Sequence, residues 1–161
     1  MKTILTPVDF SSITPAVLNE ASALARAMNG RIVLLAVVQP PVVVTEYAVA
    51  MDNIAEITAA SEKNAARQLE KLEEELKGDF VSVERLQVVG APVANILDQA
   101  EKYVADYIVM GSHGHTAFYD LLVGSTTHGV LKRAKCPVVI VPSAQGKALE
   151  TKRSEPNKAV S

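Results

Sequence analysis

The chain has a single cysteine, Cys136, in 161 residues, so no internal disulfide can hold it together. It also lacks a block of like charge: sixteen Lys and Arg against eighteen Asp and Glu leave a formal net charge of −2. Without a Lys/Arg stripe there is no field to hold a phosphate backbone, and nucleic acid is excluded as a standing partner. No run of apolar residues approaches the roughly 18 needed to cross a bilayer as a helix. The opening residues, MKTILTPVDF, contain neither a long apolar core nor a small-residue cleavage site, so they do not read as a secretory signal. Internal repeats are absent as well. These absences predict a soluble cytoplasmic protein, and the length suits one folded domain with its own core.

What is present is an alternation. Short β-branched runs occur at TILTPV (Thr3–Val8), RIVLLAVV (Arg31–Val38), FVSVERLQVV (Phe80–Val89), YIVM (Tyr107–Met110) and PVVIVP (Pro137–Pro142). Three of them are nearly all apolar, as strands covered on both faces require. Between them apolar residues recur at three and four. Val17, Ala21, Leu24, Ala25 and Met28 do so after candidate caps Ser12 and Thr14 and before Gly30. Ala65, Leu69, Leu72 and Leu76 repeat likewise and end at Gly78, and Val93, Ile96, Leu97 and Ala100 follow Pro92, which suits a first helical position. Ser125 to Ala134 forms a short fourth helix, in which the pair His128-Gly129 loosens the end nearest the preceding loop, at a cost of about 1 kcal/mol relative to alanine. The order β-α-β-α-β-α-β-α-β implies an α/β fold with an open five-stranded parallel sheet and helices on both faces.

Two regions break this rhythm. Gln39 to Asn53 begins its second residue with PPVVV and reads as a long connection before the second helix. Beyond a domain spanning residues 1–143, residues 144–161 are polar, lack apolar period and predict a disordered tail. The exposed face from Glu62 to Lys77 carries Lys71–Glu75 and Glu73–Lys77 at i,i+4 and reads as a solvated helix face. Cys136, before Pro137, reads as a buried small residue.

The stretch GSHGHTAFYDLLVGST, from Gly111 to Thr126, holds the chemistry. Glycine lets backbone N–H groups approach an anion with no Cβ in the way. The helix that follows presents free N–H groups and the positive end of its dipole, with hydroxyls at Ser125, Thr126 and Thr127 beside them. That is a phosphate cradle, with Gly111 and Gly114 beneath the phosphates and Gly124, Ser125 and Thr126 at their end. The plainer alternative is that Gly111 and Gly114 shape a turn and Gly124 merely precedes a helix. Ligands of open α/β sheets sit beyond the carboxyl ends of strands where the winding reverses. In a sheet of order 3-2-1-4-5, that point lies between strands one and four, which places the glycine loop beside Asp9. Asp9 could serve a ribose or a metal-bound phosphate, or cap the first helix or turn through backbone N–H groups.

The spacing G-x2-G-x9-G-S, together with PVDFSS near the start and KCPVVIVP near the end, resembles the universal stress protein family over about Lys2 to Pro142. The resemblance implies a Rossmann-like fold of the adenine nucleotide alpha hydrolase type, and a stress-response module that binds ATP, with Mg. It implies that Gly111, Gly114, Gly124 and Ser125 hold phosphate, with His115 and Thr126 beside them. Pro7, Val8 and Asp9 would line the adenosine pocket, Val37 would meet the adenine edge through its backbone, and Met110 would touch the nucleoside. The family lacks a P-loop, and this chain likewise has no G-x4-G-K-[ST]. Members usually dimerise through the last strand, here Val138–Val141, and the nucleotide state would set a surface for that copy or for another protein partner. His113 and His115 flank Gly114, but two loop histidines without a nearby cysteine or carboxylate cluster do not make a metal site. A slow ATP hydrolase or phosphoryl-transfer enzyme is the alternative, with Asp9, His115 or Asp120 as base. It needs a cation at the γ-phosphate that the loop does not contain, and Lys132 and Arg133 lie two turns into the next helix. A third alternative is a scaffold that keeps the fold and binds nothing.

Overall fold

The computed structural model describes residues 1–41, 51–77, 81–113 and 123–143, with only the backbone of 51–53. Gly78, Gly114, His115, Asp120 and the predicted tail at 144–161 lie outside the described residues. The elements are β1 (Thr3–Val8), α1 (Thr14–Met28), β2 (Arg31–Val38), α2 (Met51–Lys77), β3 (Ser82–Val89), α3 (Pro92–Lys102), β4 (Tyr107–Gly111), α4 (Ser125–Arg133) and β5 (Val138–Val141). All strand pairs are parallel, as the alternation predicts, and the order is β3-β2-β1-β4-β5, the one assumed in placing the glycine loop beside Asp9.

The apolar runs read as they do because alternate residues enter different cores. Ile4, Ile32, Leu34 and Val109 pack beneath Val17, Leu18, Ala21 and Ala25 of α1 and Ala65, Leu69 and Leu76 of α2. Their neighbours Leu5, Val33, Leu35, Ile108 and Met110 pack on the other face, against Ile96 of α3 and Val130 of α4. Side chains at Ile4, Leu5, Ile32, Val33, Leu34, Leu35, Ile108 and Val109 are fully buried. A strand clothed on both faces has no polar phase, hence the absence of period two.

Several boundaries differ from the sequence reading. α2 already begins at Met51, inside the connection expected to run to Asn53. β3 starts at Ser82 rather than Phe80, and β5 is confined to Val138–Val141 by the prolines at 137 and 142, which cannot donate to a ladder. Neither Ser12 nor Thr14 caps α1. The N-cap position is Ile13, without a side-chain bond, and the turn is instead closed by the Ser11 carbonyl, which accepts the Thr14 N–H at 3.0 Å. Cys136 is half-buried, and burial pushes its thiol pKa up. Glu73 does meet Lys77, at 3.9 Å, but it also accepts the Arg85 Nε at 2.9 Å, so this helix face is tied to β3 and is not simply solvated.

Gly129 also has a use that the sequence did not show. A Cβ there would lie 2.9 Å from Cγ2 and 3.2 Å from Cγ1 of Val93, so the glycine lets α4 settle on α3. The expected loosening is overridden by packing. Gly129→Ala should therefore destabilise by about 1–2 kcal/mol despite alanine's higher propensity, because the valine is β-branched and cannot swing away. In a Val93→Ala background the same change should become stabilising, by up to about 1 kcal/mol. Urea unfolding of the double-mutant cycle checks the sign reversal.

Asp106 fastens the start of β1 to the approach of β4. Its carboxylate accepts Lys2 Nζ at 2.7 Å and the Thr3 N–H at 2.8 Å, while its own N–H donates to the Thr3 carbonyl at 2.8 Å. The Lys2 hydrogen bond, and then that of the Thr3 N–H, hold the carboxyl below its ordinary value of 3.8. A depressed folded pKa gives stability that is present above the unfolded value and lost as pH falls through the folded one. Asp106→Asn should thus lower stability at neutral pH, and the gap from the wild type should close progressively as pH falls below 3.8. Denaturant midpoints across pH 2 to 7 test this.

Candidate functional site

Adjacent parallel strands β1 and β4 send their chains to opposite faces: β1 leads into α1 beside α2, and β4 leads toward α4 beside α3. The divergence opens a crevice over their carboxyl ends, of about 270 Å³. Pro7, Val8 and Asp9 form its wall at the end of β1, and Met110 and Gly111 at the end of β4. Val37 enters from β2, and Gly124, Ser125 and Thr126 from the start of α4. Every described residue that the sequence singled out thus lies on one cleft. Gly114 and His115 fall outside the described residues. His113, weighed in the sequence only as a metal ligand, lines the cleft as well, and the sequence reading missed the floor and flank contributed by Leu35, Ile96, Pro92 and Gln39, and by Ile13, Thr14 and Val17 of α1. These residues carry no distinctive spacing, because core helix and strand positions look alike wherever they end.

The two sides of the cleft differ in chemistry. Val37, Leu35, Ile96 and Met110 make an apolar slot that suits a flat ring. Across from it, α4 begins at Gly124 in extended conformation (φ −64°, ψ 160°), and no side chain caps the helix. Its first amides and the positive end of its dipole are the fold's resource for an anion.

That N-terminus is held in place by hydrogen bonds from buried side chains and the backbone. The Gly124 N–H donates to the Ser112 carbonyl at 2.7 Å, and the Ser112 N–H donates to the Val141 carbonyl at 2.8 Å. The Ser112 hydroxyl accepts the Ser143 N–H at 3.2 Å and lies 3.1 Å from Nδ1 of His113. Ser112 therefore ties together the ends of β4 and β5 and the start of α4. Thr127, expected to offer its hydroxyl outward, is buried and donates it to the Gly111 carbonyl at 2.8 Å. Gly111 itself is needed for packing: a Cβ would stand 2.9 Å from Ile13 Cγ2 and 3.1 Å from the His113 carbonyl oxygen.

Of the roles the sequence left open for Asp9, the structure shows the turn-closing one, at a position on the cleft. Its Oδ1 accepts the Ser11 N–H at 3.1 Å and the Ser11 hydroxyl at 2.6 Å, closing the turn, and the residue also lines the cleft. The next residue, Phe10, sits at φ 61°. A left-handed non-glycine residue costs about 1–3 kcal/mol. Here the strain bends the chain so that Phe10 packs on the core while Asp9 stays at the cleft. Among the described residues that line the cleft there is no Lys or Arg, and among the described residues no group of three His, Cys, Asp or Glu could hold a metal by itself. No helix among the described residues is long and apolar enough to cross a membrane.

A model of the universal stress protein family matches residues 1–142. The chain belongs to the universal stress protein family. It is 31% identical over 141 residues to a universal stress protein of Methanocaldococcus jannaschii, an alignment covering 87% of this chain and 81% of the relative. The solved structure of the universal stress protein UspA from Lactobacillus plantarum superposes with a TM-score of 0.79 at 25% identity, over 87% of this chain and 97% of that one. A universal stress protein solved in complex with cAMP superposes with a TM-score of 0.64 at 25% identity, over 87% and 96%.

The Thr127 hydroxyl gives this site a measurable signature. Thr127→Val should destabilise by about 1–3 kcal/mol, because the Gly111 carbonyl loses a buried donor, while Thr127→Ser should recover most of that. Ser125→Ala, at an exposed position, should change stability by less than about 0.5 kcal/mol. Urea denaturation of the three variants separates the bolt from the surface.

Proposed function

We propose that this universal stress protein is a regulatory module that binds an adenine nucleotide, ATP with Mg, in the β1/β4 cleft. The carrying observation is the uncapped N-terminus of α4, which forms one wall of a cleft at the sheet's switch point and faces an apolar slot on the other side. In this reading the adenine occupies the slot beside Val37 and Met110, and Pro7, Val8 and Asp9 line the nucleoside. The phosphates lie on Gly111, Gly124, Ser125 and Thr126, with Gly114 and His115 completing that side. A relative solved with cAMP supports an adenine nucleotide as the ligand class. Asp9 fits Mg, since that ion needs one or two carboxylates when phosphates supply the remaining oxygens. Bound Mg would neutralise phosphate charge.

The reading is binding more than turnover. Efficient phosphoryl transfer needs a cation at the γ-phosphate, and the described lining supplies no Lys or Arg. The bound state is sensed by a partner protein or by a second copy paired along β5, which forms one edge of the sheet.

Calorimetric titration of nucleotide-stripped protein with Mg·ATP, Mg·AMP and cAMP tests the proposal. Saturable ATP binding that weakens at least about tenfold for AMP is expected, and absence of binding to folded protein overturns it. Ser125→Asp sharpens the test, because a carboxylate in a first helical turn stabilises the helix but repels phosphate. It should leave the melting temperature unchanged or higher while weakening ATP by roughly tenfold or more.

A further inference from the structure

Two helix N-termini face the cleft, and they are chemically unlike. That of α4 follows a glycine and carries no side-chain cap. That of α1 carries Pro15 in its first turn, which has no N–H, and the Thr14 N–H is already given to the Ser11 carbonyl at 3.0 Å. The Asp9 carboxylate lines the same side. The missing amides leave that terminus with fewer donors for an anion than α4 has.

Thr14 nevertheless keeps a hydroxyl with nothing to bond. The residue is 5% exposed, and its Oγ1 is a buried oxygen without a hydrogen-bond partner. Buried hydroxyls are bonded in the large majority of cases, and an unmet one costs stability. Valine would fill the same volume without that cost. Thr6 and Ser22 also bury unpartnered hydroxyls, but neither lines the cleft, whereas Thr14 does.

We infer that Thr14 is a ligand-binding residue that, with Asp9, recognises a sugar hydroxyl of the bound nucleotide. The inference rests on the nucleotide reading above and adds to it a preference for ribose over deoxyribose. A hydroxyl is the group that fits: it donates its one proton to a carboxylate while accepting one from a threonine, and a phosphate oxygen cannot donate. On binding, Thr14 would turn between the two χ1 wells open to a threonine in a helix and bring Oγ1 out of its buried position toward the sugar. The cleft is then divided, with phosphate on the α4 side and sugar on the α1 side.

Thr14→Val and Thr14→Ser, titrated with Mg·ATP, Mg·2′-deoxyATP and Mg·3′-deoxyATP and melted without nucleotide, test this. The wild type should prefer ATP to at least one deoxy analogue. Thr14→Val should bind ATP about three- to tenfold more weakly and lose that preference, while its ligand-free melting temperature holds or rises. Thr14→Ser should keep both affinity and preference. Unchanged affinity and preference in Thr14→Val, or no preference in the wild type, would overturn the inference and leave nucleotide binding standing. A wild type that binds none of the three nucleotides removes the nucleotide reading and this inference together.

Discussion

The parallel pairing of β1 with β4 is the constraint on which the rest of the molecule depends. Ile4 and Leu5 stand opposite Tyr107 and Ile108, and Asp106 fastens this junction at its lower end. Once these strands are neighbours, right-handed crossovers send the chain after β1 and the chain after β4 to different faces. A cleft over their carboxyl ends is the geometric consequence. Its position owes nothing to the residues that line it, which is why so plain a topology can carry a site.

The lining residues decide what the cleft can hold, and much of their work is internal. Ser112 and Thr127 donate to carbonyls of neighbouring segments, and Ser112 also accepts from their amides. These bonds tie the first turn of α4 to the end of β4, which fixes where its first amides point. Preorganised backbone donors cost no reordering on binding. The strain at Phe10 serves the opposite wall in the same manner, since the core contact of its ring fixes where Asp9 stands.

Fold and site were legible in the sequence to different depths. The parallel sheet followed from the alternation of apolar runs with helical segments, because burial on both faces writes itself into composition, whereas its order had to be assumed, since the same alternation fits other doubly wound orders. Pro7, Val8, Asp9, Val37, Met110, Gly111 and Gly124 to Thr126 could be placed at one cleft from glycine spacing, topology and family resemblance. The α1 flank could not, since Ile13, Thr14 and Val17 read as ordinary amphipathic helix. Roles were harder to read than positions. Gly129 read as a weak point and is a packing contact with Val93, and Thr127 read as an outward donor and bonds inward. A sequence shows that a residue is small or carries a hydroxyl, but what it meets depends on contacts across elements.

Gly111 shows why such glycines resist a single explanation. Its missing Cβ leaves room for Ile13 and for the carbonyl of His113, so packing alone would select glycine there. The same closeness draws the start of α1 against the end of β4 and sets the width of the cleft. Packing and any demand from a ligand therefore coincide at Gly111, and substituting it cannot separate them. They separate at Gly124, where a Cβ would meet the Ser112 carbonyl at an ordinary 3.4 Å and the φ of −64° suits any residue. Among the described residues nothing there stands against a side chain, so a loss on substituting Gly124 would point to the cleft and away from these packing contacts.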